Sequence, residues 1–187
     1  MRLISFALIG AVVLLAGACT DRPAPEARAA ETPKLTTLDI PRSIRAEHEE
    51  IHSTLVEATR AEGAVGAAAR ALAAVLDPHF VREEQIALPP LGLLSSLAAG
   101  ASLSDAVQSQ ALAMSDSLKA ELPRMLQEHA GIRAAVGSLR AAAQSAGATR
   151  FEQFADQLAL HAQAEEEVNY PAAVLVGDII RARRQDP

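Results

Sequence analysis

One block of residues occurs twice, and a fold for this chain must accommodate both copies. His79-x-x-x-Glu83-Glu84-x-Ile86-x-x-Pro89 returns as His161-x-x-x-Glu165-Glu166-x-Val168-x-x-Pro171. A shorter block precedes each copy: Glu47-His48-x-x-Ile51 and Glu128-His129-x-x-Ile132. His48 stands 31 residues before His79, and His129 stands 32 before His161. Two such units predict two related helical pairs. Composition agrees. About a fifth of the 187 residues are Ala, half are apolar and only 3% are aromatic. That favours closely packed helices over a sandwich or barrel. The expected fold is all-α, built from two helical pairs.

Period-3.6 patterning and helix breakers place four long helices. The first spans about 41–61, with Gly63 and Gly66 marking a turn. The second runs to Pro89-Pro90 and is expected to break or kink at Asp77-Pro78. A loop with a short helical piece fills about 91–100. The third covers 116–144, or starts earlier near Ser104, and Pro123 should bend it. The fourth spans about 149–183, with Pro171 expected to kink it or split off its end.

On helical wheels each long helix turns one histidine inward. His48 lies with Ile44, Ile51 and Leu55. His79 and Glu83 lie with Leu72, Val75 and Ile86. His129 shares a face with Leu118, Leu122, Met125, Ile132 and Val136. In the fourth helix Phe154, His161, Val168, Ala172, Leu175 and Ile179 form one stripe, with Glu165 at its edge. Glu166, Glu167 and Tyr170 point away from it. Glu84, Glu166 and Glu167 read as solvated or supporting charges, and Tyr170 as a helix-end or interface residue.

Two carboxylates inside an apolar core need partners. No lysine stands at matching depth, and Arg133 is the nearest cation. Four imidazoles with two carboxylates are instead a ligand set for metal. On these residues the chain resembles the hemerythrin-like family, whose pattern is H…HxxxE…H…HxxxE. The resemblance covers about 48–171. It implies a left-handed, up-down-up-down four-helix bundle around two non-haem iron ions joined by an oxo or hydroxo group. It makes Glu83 and Glu165 bridges and His48, His79, His129 and His161 terminal ligands. Manganese and zinc also suit imidazole and carboxylate, behind iron. The oxygen-binding members have a second histidine four residues along the third helix, where this chain has Arg133. His52, one turn after His48, is a candidate fifth ligand or a group supporting one. The resemblance implies binding of dioxygen, peroxide or nitric oxide for sensing, scavenging or storage. A di-iron oxidase or peroxidase, or an iron-holding protein, is the alternative, and no residue is assigned a catalytic role.

Three rivals compete. His48-Glu49-Glu50-Ile51-His52 fits the HExxH helix of zinc hydrolases. It leaves three histidines unexplained, and no strand pattern precedes it to hold a peptide. A ferritin-like site needs paired Glu-x-x-His motifs. Only Glu49-x-x-His52 fits, since Leu76, Leu126 and Leu158 stand three before His79, His129 and His161. An interaction module with a structural or lost metal is the third, although every ligand type is kept.

The start of the chain reads as an address. Arg2 precedes an apolar run over 3–15, too short to span a bilayer. Leu15-Ala16-Gly17-Ala18-Cys19 resembles a bacterial lipobox, with Cys19 as the lipidated residue. The expected organisation is a removed signal over 1–18, a proline-containing tether over 19–40 and the bundle over 41–187. This puts the domain at a bacterial membrane, facing the periplasm or exterior. Thr20, rather than Asp, after the cysteine points to the outer membrane. A net charge of −6 argues against a nucleic-acid partner. The sole cysteine excludes an internal disulfide.

Overall fold

Gly63, with φ +64°, sits where the chain reverses between the first two helices. This left-handed backbone favours glycine. It separates α1 (Arg42–Thr59) from α2 (Gly63–Ile86). Gly147, at φ +65°, does the same between α4 (Asp105–Ser145) and α5 (Thr149–Ala164). Such short turns make each pair antiparallel neighbours. Between the pairs lie a 3-10 turn, Pro89–Leu93, and the short α3, Leu94–Ala98. The last described element is α6, Tyr170–Gln185, joined to α5 by a π-helical turn over Glu165–Asn169. This computed structural model describes residues 35–185, all within the unit Thr32–Pro187. The signal segment, Cys19 and the tether up to residue 34 lie outside the described residues.

The fold is an all-α bundle. α1 packs on α2 and α5, α2 on α4, and α4 on α5 and α6. α2 runs through Pro78 without the break that was one of the two outcomes expected there. α4 likewise contains Pro123 and starts at the earlier of its two expected points. Ser104 is its N-cap and accepts a 3.3 Å hydrogen bond from the Val107 N–H.

Residues 35–40, assigned to the tether, lie against the bundle. Leu35 pairs with the 102–104 loop through backbone hydrogen bonds of 3.2 and 3.1 Å. Leu35 and Leu38 pack on the cluster of Leu93, Leu97, Leu103, Val107, Val176 and Ile180.

Two larger apolar clusters fill the bundle. One joins Ile51, Leu55, Leu72, Leu76, Phe80, Ile132, Val136, Leu139, Phe154 and Leu158. The other joins Ile86, Leu88, Leu91, Leu118, Met125, Tyr170 and Ala173. The inward histidines stand between them along each helix. Fully burying one Leu or Ile side chain contributes about 1.5–3 kcal/mol, so these clusters hold the helices together.

The last helix departs from its expected face by one residue. Ala173, Val176 and Ile180 are buried, where the wheel placed Ala172, Leu175 and Ile179. Val168 and Leu175 are 60% and 54% exposed. The π turn explains the shift. The Tyr170 N–H bonds back five residues to the Glu165 carbonyl. The wide turn absorbs one extra residue, and every later position moves round the helix by one. Val75, also placed inward, is 41% exposed, and Leu76 takes its place in the core.

Candidate metal centre

The four helices bring six polar side chains to one level of the core. His48, His79, Glu83, His129, His161 and Glu165 are all at least 96% buried. They form two overlapping groups. His48, Glu83, His161 and Glu165 can each offer one ligand atom, all within 4.8 Å of one another. His79, Glu83, His129 and Glu165 form the second such group. Both carboxylates belong to both groups, and each imidazole belongs to one. Around Glu165, His161 Nε2 lies at 3.1 Å, and the Nε2 atoms of His48 and His129 at 3.5 Å. Around Glu83, His79 Nε2 lies at 3.4 Å and His129 Nε2 at 4.0 Å.

The residues beside the repeated ligands form an outer ring, so Glu84 and Glu166 take the supporting rather than the solvated role expected of them, and Glu47 and Glu128 join them. His79 donates from Nδ1 to Glu128 at 2.9 Å, and His129 donates from Nδ1 to Glu166 at 2.8 Å. His161 Nδ1 lies 3.2 Å from Glu47, and His48 Nδ1 lies 3.6 Å from Glu84. The pattern repeats with the sequence. Glu47 and Glu128, each just before a histidine, serve the other repeat. Glu84 and Glu166, each just after an inner carboxylate, serve their own. Their recurrence in the repeat was the available signal. An ionised carboxylate can only accept, so Nδ1 carries the proton and Nε2 faces inward. Arg133 does not reach the buried carboxylates; it pairs with Glu166 at the surface, and Arg124 pairs with Glu128.

Protonation follows from this crowding. Burial alone pushes Glu165 up, but the imidazoles of His129, His161 and His48 close around it hold it well below the usual carboxylate range. Glu83 goes the other way, raised by burial and by the charge of Glu165. Burial works against a charged His161, yet Glu165, Glu47 and Glu83 push it up to about 9. His79 is raised by Glu83 and Glu128 against the same burial. Glu128 and Glu166 are lowered despite partial burial, through His79 with Arg124 and through Arg133 with His129.

A cation fits these residues. Both nitrogens of His48, Nε2 of His161, Oε2 of Glu83 and Oε1 of Glu165 are buried and hydrogen-bond to nothing among the described residues. Each such atom costs about 1–3 kcal/mol. A cation between them satisfies the inward-facing atoms at once, and the mixed imidazole–carboxylate set suits iron, manganese or zinc.

Two other positions bear on the site. His52 is exposed and belongs to neither group. It lines a 360 Å³ cavity outside His48, with Glu49, Asp77, Phe80, Val81 and Glu84. His48 and His52 therefore do not converge as a zinc-hydrolase pair would. Tyr170, expected to face away, is 1% exposed and inside the centre. It donates a hydrogen bond to Glu83 Oε1, and its hydroxyl is 3.1 Å from His129 Nε2. The π turn that shifted the helix face also turned this side chain inward.

A helical bundle with buried, repeated His and Glu groups defines a cation-binding domain. The hemerythrin HHE cation-binding domain matches residues 39–173, and the chain belongs to that family. No curated protein and no solved structure matches the chain.

Proposed function

We propose that the domain holds two non-haem iron ions and binds dioxygen or a related small ligand, such as peroxide or nitric oxide, for sensing, scavenging or storage. The observation that carries this reading is the sharing of Glu83 and Glu165 between two four-residue groups. One cation would need one group. Two groups with both carboxylates in common suit a pair of ions bridged by Glu83 and Glu165, with His48 and His161 on one ion and His79 and His129 on the other. When bound, two ferrous ions can together supply two electrons to a small oxidising ligand.

The chain's own residues do the rest. Glu128 and Glu166 hold the His79 and His129 rings with Nε2 inward, as Glu47 and Glu84 lie placed to do for His161 and His48. The two apolar clusters keep bulk water from the carboxylates. His52 and Glu84 line the cavity beside His48 and give that side a polar wall. We further propose that lipid on Cys19 anchors the domain at the periplasmic or outer face of a bacterial membrane. The sole cysteine, directly after Ala16-Gly17-Ala18, supports this.

The test is metal analysis with an absorption spectrum on protein from iron-supplied cells. Re-exposing the reduced protein to oxygen then separates a lasting complex from immediate oxidation. A lasting spectrum marks a binding protein, and immediate oxidation points to turnover.

A further inference from the structure

The two repeats differ where their chemistry meets. Aligning the His-x-x-x-Glu blocks pairs Leu88 with Tyr170, each five residues after its carboxylate. Both backbone N–H groups reach back five residues. The Leu88 N–H reaches the Glu83 carbonyl at 3.0 Å, and the Tyr170 N–H reaches the Glu165 carbonyl. Both side chains enter the same apolar cluster and are at most 1% exposed. One is a hydrocarbon and the other carries an oxygen.

That oxygen stands among the donors of one group only. Tyr170 Oη donates to Glu83 Oε1 and lies 3.1 Å from His129 Nε2 and 3.4 Å from His79 Nε2. Donors at right angles on an ion with bonds of ~2.1 Å are about 3 Å apart. The phenol oxygen thus keeps ligand-to-ligand spacing from both imidazoles of the group. On the other side the neighbouring ring is Phe80, stacked on His48 with centroids 4.2 Å apart. It offers no donor atom.

The geometry points to Tyr170 as a further protein ligand, through its phenol oxygen, of the ion held by His79 and His129. This rests on the two-iron reading above and makes its two positions unequal. The His79/His129 ion has five protein donors, counting both carboxylates. The His48/His161 ion has four and is the one left to take a small ligand. On ligation the O–H bond breaks, an oxygen–iron bond forms, and the proton passes to solvent with those released by the other ligands. No electron moves in this step. Tyrosine oxygen is an established donor to ferric iron in other proteins.

The chain has one tyrosine and no tryptophan, so any tyrosinate signal comes from Tyr170. The test uses the full chain loaded with ferric iron. The expected result is a visible phenolate-to-iron charge-transfer band whose excitation enhances tyrosinate ring modes in the Raman spectrum. Tyr170→Phe should keep the same helix content while losing both signals. Two irons per chain without the band in the unmodified protein would overturn Tyr170 ligation and leave the two-iron reading standing. Protein that takes up no iron would overturn both. If Tyr170→Phe does not fold, the Raman spectrum of the unmodified protein decides alone.

Discussion

His129 donates from Nδ1 to Glu166 at 2.8 Å, and Glu166 is the neighbour of the shared carboxylate Glu165. Adjacent residues thus serve opposite ends of one imidazole, with Glu165 Oε2 3.5 Å from its Nε2. Such outer partners typically contribute 10–100-fold in metal affinity. Glu166→Gln and Glu128→Gln should each weaken iron or zinc binding by about that factor while helix content stays constant. Competition with a chelator of known affinity measures it. Unchanged affinity in both variants would show that the outer carboxylates do not support the ligands.

Sharing predicts a difference between ligands. Glu165→Ala removes a donor from both groups, so it should abolish binding of both ions and weaken the fold. His48→Ala touches only the group it belongs to and should leave an ion at the other. Metal content per chain distinguishes these cases. Full occupancy in Glu165→Ala would refute the bridging role.

The π turn makes a prediction about deletions. Removing Val168, which is exposed within the wide turn, closes it to an ordinary α-turn and leaves Tyr170 and Ala173 facing the core. The bundle and its metal content should survive. Leu160 is equally exposed, at 66%, but sits in plain α-helix. Its removal rotates the helix beyond it by about 100° relative to the part before it, so the core residues of α5 and the pair His161 and Glu165 can no longer face inward together. Thermal melts and metal analysis of the two deletions should diverge sharply.

How the repeat was legible, and where it stopped being so, follows from the same turn. The four histidines and two glutamates lie on regular helix up to Glu165, and a period of 3.6 places all six correctly. Beyond Glu165 that period assigns Val168 and Leu175 to the core and Tyr170 to the outside, because nothing in a helical wheel anticipates a five-residue hydrogen bond. Pro171 alone was no guide, since Pro78 and Pro123 sit in unbroken α-helix. The outer ring was visible as recurrence at Glu47, Glu84, Glu128 and Glu166. Its partners were not, since Glu47 and Glu128 reach histidines of the opposite repeat. His52 was drawn toward the site by sharing one helix face with His48; the structure leaves it on the cavity wall.

Metal-free protein should depend on pH in a defined direction. His161 is raised to about 9 by Glu165, Glu47 and Glu83, and His79 is raised too. A raised histidine adds stability that is complete below its unfolded value of about 6.5 and is lost as pH rises through the folded one. Glu83, also raised, acts in the same sense from lower pH. Glu165 acts oppositely and contributes above its unfolded value of about 4.5. The melting temperature of the metal-free protein should therefore fall between pH 6.5 and 9. Metal replaces these protons, so the loaded protein should melt higher and change little over that window. Parallel melting curves for the two forms would contradict this.

The central claim is two iron ions held between shared carboxylates, and stoichiometry with a spectrum tests it most directly. Full chain purified from iron-supplied cells should contain two irons per chain, with near-ultraviolet oxo-bridge bands that bleach on reduction. One zinc per chain, with no such bands, would contradict the account.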